Sequence, residues 1–167
     1  MPLDPLPKLA DPRRLAELST KLEGEVDLGA CARLQEFAPE NAGRAQAVFA
    51  FSRDAQGRVV MEGEARAALR LVCQRCGEPF LDTHRAEWRV VFVPSEDEER
   101  RLAGEGIDAW CQQGLLDVIG FLEEELILAL PMAPHHREDC EPGHEPESVA
   151  HPFAVLAEWF ERDPRET

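Results

Sequence analysis

The chain lacks tyrosine, has few basic residues and contains no apolar run of membrane-spanning length. Its 167 residues include 18 Lys and Arg against 33 Asp and Glu, so the formal net charge is −15. A protein this acidic is repelled as a whole by phosphate backbones and attracts basic partners. The longest apolar stretch, around 126–132, is far shorter than the roughly 20 residues that a transmembrane helix needs. We therefore predict neither membrane insertion nor broad nucleic-acid binding.

Common sequence motifs of enzymes are also missing. The chain has no H-E-x-x-H metalloprotease motif, no P-loop and no G-x-G-x-x-G dinucleotide motif. Each of these motifs assembles the side chains or backbone groups that a reaction or a phosphate group requires. We therefore predict that the protein is not an enzyme, with no catalytic residues and no small-molecule substrate.

The start of the chain does not have the pattern of a secretory signal peptide. Residues 1–10 contain three prolines but neither a basic start nor an apolar run. We therefore expect a cytoplasmic protein. In that reducing compartment cysteines are more typical of metal ligands or free thiols than of disulfides. The five cysteines are Cys31, Cys73, Cys76, Cys111 and Cys140.

Two short motifs together offer four metal ligands. Cys73 and Cys76 form a C-x-x-C pair, followed by Gly77, between two segments with strand-like alternation. His136 and Cys140 form an H-x-x-x-C pair after the strongest helical pattern. Thiolate and imidazole groups at these spacings suit tetrahedral zinc, and four protein ligands leave no position open for a substrate. The spacing therefore predicts a structural zinc site.

Three alternatives to this ligand set stay open at the level of sequence. His135 could replace His136 as the fourth ligand. Cys73 and Cys76 could be free thiols in a turn, with the two histidines in a solvent-exposed loop. A redox role is the third alternative, although redox C-x-x-C pairs usually open a helix, and strand-like residues flank this one.

Hydrophobic patterning predicts an α+β fold. Alternation of apolar and polar residues, typical of a half-buried antiparallel sheet, spans 44–51, 58–63, 65–72 and 81–93. The strongest helical pattern covers Leu115–Leu130 and stops at Pro131. We predict an antiparallel β-meander packed against this one long helix, with shorter helices at the N- and C-termini.

The chain divides into three predicted parts. Residues 1–10 form an extended N-terminal arm. Residues 11–140 form a single α+β domain, which begins at Asp11 as a helix N-cap, followed by Pro12 in the first turn. Residues 141–167 are an acidic, proline-rich linker followed by a short C-terminal amphipathic helix.

The middle of the chain is locally basic. Between residues 44 and 89 there are eight arginines and six acidic residues. The strand alternation places several arginines on the outer face of the predicted sheet, and one more lies in the C-x-x-C turn. We predict these as contacts to ribosomal RNA or to a partner: Arg66, Arg70, Arg75, Arg85 and Arg89. The alternative is a solvated face with cross-strand Arg–Glu pairs.

Several blocks of the sequence resemble one known family. They are LVCQRCGEPF (71–80), EEELILALPMAP (123–134) with the following His136 and Cys140, PFAVLA (152–157) and DPR (11–13). The first three blocks in this order, together with the DPR start, resemble the YceD family of bacterial large ribosomal RNA subunit accumulation proteins, which has relatives in plastids. The family motif carries over to Cys73 through Cys76, to Leu128 through Pro131, and to His136 and Cys140.

The resemblance implies a non-enzymatic cytoplasmic factor for the synthesis, processing or accumulation of large-subunit ribosomal RNA. Two kinds of partner follow. The arginines favour large-subunit ribosomal RNA or its precursor, and the acidic flanks favour a basic ribosomal protein. The chain departs from the family in 107–114, where Trp110, Cys111, Gln112 and Gln113 replace an acidic stretch, so no partner contact is carried over to that loop.

Overall fold

The centre of the fold is a five-stranded mixed β-sheet, which the computed structural model describes, with its helices, over residues 4–136 and Cys140. The elements in chain order are β1 (Leu9–Ala10), α1 (Pro12–Glu17), β2 (Lys21–Asp27), a 3-10 helix (Leu28–Ala30), α2 (Leu34–Phe37), β3 (Arg44–Arg53), β4 (Val59–Val72), β5 (Pro79–Val93), α3 (Glu96–Gly104), β6 (Ala109–Cys111), β7 (Leu116–Asp117) and α4 (Val118–Leu128). The sheet order is β2-β3-β4-β5-β6, and β1 pairs separately with β7. The predicted α+β class is confirmed.

Strands β2 to β5 form the predicted antiparallel meander. The runs 58–63 and 65–72 belong to one strand, β4, which pairs with β5 in a single register from Val59↔Phe92 to Val72↔Pro79. The sheet as a whole is not antiparallel, because β6 pairs in parallel with 91–93 of β5. A helical crossover, α3, separates these two strands, and a crossover of this kind returns the chain in the parallel direction.

The inner face of the sheet carries the main hydrophobic core. Buried side chains at alternate strand positions there include Ala47, Phe49, Phe51, Met61, Ala65, Leu69, Ala86 and Trp88. Val118, Leu122 and Leu126 of α4 belong to the same cluster. The ring of Phe121 lies 6.1 Å from that of Phe49 and 5.4 Å from that of Trp88. The helix therefore packs on the face that the alternation turns inward.

A second, smaller core lies on the outer face at one end of the sheet. Val60, Val91 and Val93 are buried there, and Leu102 of α3 packs on them. The outer face is thus solvated over most of its length but covered by α3 at this end.

The helix α4 is shorter than the predicted 115–130. It spans 11 residues, because the two residues before it form β7 and pair with β1. Asp117 then caps the helix, its Oδ1 accepting a hydrogen bond from the Gly120 N–H at 3.0 Å. At the other end the N–H of Leu130 donates to the carbonyl of Ile127, three residues back. This tightened turn ends the helix before Pro131, so the prediction of one long helix is wrong.

Residues 4–10 follow the edge of the sheet. The Leu6 N–H donates to the carbonyl of Glu25, and the Glu25 N–H donates to the carbonyl of Asp4. Gly24 permits this approach, because a Cβ there would lie 2.4 Å from the Asp4 carbonyl oxygen. Residues 4–6 are therefore hydrogen-bonded along β2.

The linker and the C-terminal helix predicted in 141–167 lie outside the described residues, and the division into three parts stays a prediction. Among the helices of residues 4–136, none combines the length and the apolarity that crossing a bilayer requires.

Gly63 gives the fold a testable constraint. A Cβ at this position would lie 2.1 Å from the Val48 carbonyl oxygen and 2.6 Å from Cζ2 of Trp88. We expect Gly63→Ala to lower the free energy of unfolding by about 1–3 kcal/mol, because the strand or the indole must shift. Urea unfolding measures this loss. Gly104→Ala is the control: nothing lies within 4 Å of its added Cβ, and a loss there as large as that at Gly63 would contradict the packing argument.

Candidate metal centre

The C-x-x-C pair lies in the turn that joins β4 to β5. The Cys73 N–H donates to the carbonyl of Glu78 at 2.9 Å, and the Gly77 N–H donates to the carbonyl of Cys73 at 2.9 Å. Gly77 has a φ of 79°, a left-handed conformation that favours glycine. These constraints fold the turn back on itself and bring the side chains of Cys73 and Cys76 together.

The second pair reaches this turn from the segment that follows α4. The Gln74 N–H donates to the carbonyl of Pro134 at 2.8 Å, which fixes the segment against the turn. The ring of His136 then lies 4.8 Å from the ring of Phe80, at the start of β5. The contact orients the imidazole beside Cys76.

The four ligand atoms lie close enough together to share one metal ion. The side chains of Cys73, Cys76, His136 and Cys140 place these atoms within 4.8 Å of one another. The two Sγ atoms of Cys73 and Cys140 are 3.7 Å apart, and Cys76 Sγ lies 3.5 Å from His136 Nδ1. Tetrahedral zinc with its usual Zn–S and Zn–N bonds would give S···S and S···N separations of about 3.8 Å and about 3.6 Å. The cluster could therefore hold a metal such as zinc.

The thiols of this cluster differ in their acidity. Burial opposes ionisation of Cys73, but the backbone N–H groups of Cys76, His136 and Arg75 outweigh it and lower its pKa to about 5. Burial, together with the hydrogen bonds to Cys73 and Cys76, raises the pKa of Cys140 to about 11. A cation that binds the cluster must therefore displace a proton from Cys140.

The structure brings together all four predicted ligands and leaves out the alternative histidine. His135 is exposed, and its Nδ1 lies 2.9 Å from the carbonyl oxygen of His136. Sequence reasoning missed two supports of the cluster, the Phe80 ring and the Pro134 carbonyl. The aromatic residue seven positions after Cys73 is visible in the sequence and could have been recognised. A contact made by a backbone carbonyl cannot be read from a pattern of side chains.

The predicted arginine contacts fall in two places. Arg66, Arg70, Arg85 and Arg89 lie on the outer face of β4 and β5, where Arg66 is directly opposite Arg85. Arg75 lies in the C-x-x-C turn and lines a cleft of about 330 Å³. The lining residues of that cleft are Gln74, Arg75, Ala133, His135 and His136.

Each outer-face arginine is ion-paired with a glutamate. Arg66 lies 3.5 Å from Glu64, Arg70 lies 3.2 Å from Glu40 and Arg89 lies 2.5 Å from Glu62. Arg85 contacts both Glu64 and Glu87. The Arg85 guanidinium donates to Glu64 and lowers the pKa of that carboxyl.

The charges of the outer face balance over β2 to β5. The six basic residues are Lys21, Arg44, Arg66, Arg70, Arg85 and Arg89. The six acidic residues are Glu23, Glu25, Asp27, Glu62, Glu64 and Glu87. The strands therefore present a charge-neutral surface rather than a basic patch.

Comparison with known proteins gives a consistent family match. The family model described as large ribosomal RNA subunit accumulation protein YceD matches residues 61–157, which include all four ligands of the cluster. A relative from Haemophilus influenzae, also called large ribosomal RNA subunit accumulation protein YceD, is 35% identical over 165 residues. The alignment covers 91% of this chain and 94% of the relative. No solved structure matches the chain.

Proposed function

We propose, because this chain belongs to the YceD family, that it is a non-enzymatic cytoplasmic factor of ribosome biogenesis that supports the accumulation of large-subunit ribosomal RNA. The name of the matched family supplies the process. The closed set of four ligands supports a role without catalysis, because it leaves no coordination position for a substrate.

Two mechanisms could serve this function. In the first, Arg66, Arg70, Arg75, Arg85 and Arg89 contact ribosomal RNA or its precursor directly. In the second, the acidic flanks of the chain hold a basic ribosomal protein of the large subunit, for which the chain acts as a chaperone. Both mechanisms would raise the amount of assembled large-subunit RNA. In the first the contact residues are basic, and in the second they are acidic.

The ion pairing of the outer face favours the second mechanism. Each of the four outer-face arginines has a glutamate within 3.5 Å, and it would have to give up that partner before binding a phosphate. Counterion release, which drives most protein–RNA contacts, needs a basic surface rather than a neutral one. We therefore infer that a basic large-subunit protein is the partner of this chain.

The metal cluster has a structural role in this proposal. Cys73 and Cys76 lie in the β4–β5 turn, whereas His136 and Cys140 follow α4. A zinc ion bound by all four would fasten the end of the helix segment to the sheet. Zinc would thus keep the helix and the sheet in a fixed arrangement.

A complementation experiment tests the function and its mechanism together. We expect cells that lack this protein to have a reduced ratio of large- to small-subunit ribosomal RNA, and the wild-type chain to restore it. The double variant Arg66→Gln with Arg70→Gln should restore the ratio equally well, because these arginines are not the RNA contacts in the favoured mechanism. Quantification of both RNAs measures the outcome.

The outcomes distinguish a failure of the proposed function from a failure of the favoured mechanism. An unchanged RNA ratio in cells without the protein would count against the function itself. If the wild-type chain restores the ratio and the folded double variant does not, direct RNA contact through the outer face is the better account. Urea unfolding of the purified variant checks that it is folded.

A further inference from the structure

A cleft of about 440 Å³ lies between β5, β6, α3 and α4, away from the metal cluster. Aromatic rings and carboxylates line it together: Trp88, Trp110, Phe121, Glu87, Glu99, Asp108 and Glu125. Arg89 is the one basic residue of the lining. The cleft thus combines apolar walls with a strong excess of negative charge.

Three of these carboxylates, Glu99, Asp108 and Glu125, form no ion pair within the described residues, and Glu99 accepts a hydrogen bond from the Cys111 N–H at 3.0 Å. Glu87 pairs with Arg85, and the guanidinium of Arg89 pairs with Glu62 outside the lining. Burial raises the pKa of the Glu125 carboxyl, and the charges of Asp108 and Glu124 raise it further. The cleft therefore has a negative potential that the described residues leave uncompensated.

The aromatic walls suit a flat cation. Trp110 and Phe121 are stacked at 6.1 Å with 24° between their planes, and Phe121 meets Trp88 edge to face at 5.4 Å. Trp88, which is 7% exposed, is the most buried residue of the lining. Its Nε1–H has no acceptor among the described residues; as a donor it suits a carbonyl oxygen of a bound segment and not the guanidinium. Guanidinium groups stack on such ring faces and bind carboxylates through two parallel hydrogen bonds.

An open strand edge runs past the same cleft. β6 covers β5 only at 91–93, where the Val91 N–H donates to the carbonyl of Asp108. Because backbone groups alternate in direction along a strand, those of Glu87 and Arg89 point to the same edge. No backbone hydrogen bond covers them there within the described part of the chain. An extended protein segment can add to such an edge and place one side chain in the adjoining cleft.

We propose that this cleft binds an arginine side chain that an extended, basic segment of the partner protein presents. The carboxylates of Asp108 and Glu125 bind the guanidinium, and the rings of Trp110 and Phe121 pack beside it. This inference rests on the proposed function, because it gives the basic large-subunit protein a binding site on the chain.

The test is a titration of the full-length protein with a short arginine peptide. The probe is acetyl-Gly-Arg-Gly-amide, and the matched peptide carries citrulline, which keeps the shape of arginine but lacks its charge. We expect saturable shifts of the Trp88 and Trp110 indole N–H resonances with arginine and none with citrulline. Asp108→Asn with Glu125→Gln should weaken binding by about tenfold or more, the usual cost of losing charged hydrogen bonds.

A charge-matched control separates the cleft from the overall acidity of the protein. Glu17→Gln with Glu36→Gln removes the same charge from exposed positions on α1 and α2 and should leave the affinity within about twofold, as surface substitutions usually do. An equal loss in this control, equal shifts with citrulline, or displacement of the arginine peptide by equimolar putrescine would overturn the proposal. Failure of the proposed function would appear elsewhere, as a wild-type chain that does not restore ribosomal RNA, whatever the titration gives.

Discussion

Replacing Cys73 with serine is expected to abolish metal binding and to produce one of the largest losses of stability in this chain. Protein purified without a histidine tag should contain about one zinc per chain, because the four ligands form one closed site. At free zinc a thousandfold above its dissociation constant, the ion stabilises the folded state by about 4 kcal/mol. Cys73→Ser should lose this increment. Elemental analysis and urea unfolding, each with and without a chelator, measure the two effects.

Variants of the other ligands and of Cys111 complete this experiment. Cys140→Ser and His136→Ala should behave like Cys73→Ser, because each removes one of the four ligands. Cys111→Ser should retain full zinc, because Cys111 packs beside the second core and is not part of the cluster. Wild-type protein with little zinc, or a Cys73→Ser variant with undiminished zinc, would rule out the centre.

The second large effect is expected at Asn41. This side chain is 4% exposed and makes three hydrogen bonds. Its amide group donates to the carbonyls of Ala38 at 2.6 Å and Arg70 at 3.2 Å, and its Oδ1 accepts from the Arg70 N–H at 2.7 Å. Asn41→Ala should lower the free energy of unfolding by about 3 kcal/mol, since each buried hydrogen bond contributes about 1 kcal/mol.

The position of Asn41 explains why the loss should be so large. β3 pairs with β4 only as far as Arg66, so Arg70 has no strand beside it on that edge. The Asn41 amide takes the place of the missing strand by bonding both backbone groups of Arg70. Gln46→Ala, which removes one exposed bond to Glu25, should cost less than about 0.5 kcal/mol. Equal losses in the two variants would contradict this account.

The sequence predicts those parts of the molecule that depend on local pattern. Strands β3 and β5 follow from alternation, and the cap at Asp11 follows from residue type. The metal cluster could also be predicted, because C-x-x-C and H-x-x-x-C are short motifs whose ligand chemistry restricts how they combine. In each case the information lies within a few neighbouring residues.

What the sequence does not predict depends on contacts between distant segments. Helix α4 starts later than predicted because β7 pairs with β1, more than a hundred residues earlier in the chain. The direction of β6 depends on how α3 crosses the end of the sheet, and three residues cannot encode it. The acidic cleft is assembled from four elements, so no single stretch of the sequence predicts it.

The division of the ligands between two distant segments has a consequence for synthesis of the protein. Cys73 and Cys76 belong to a hairpin of neighbouring strands that can form early, since its contacts are close in sequence. Cys140 lies 67 residues beyond Cys73, and the ribosome makes the chain from the N-terminus. The four-ligand set therefore exists only once nearly the whole domain has emerged. A metal held by all four ligands would therefore require a chain synthesised at least as far as Cys140, and a chain that ends before His136 would have only Cys73 and Cys76.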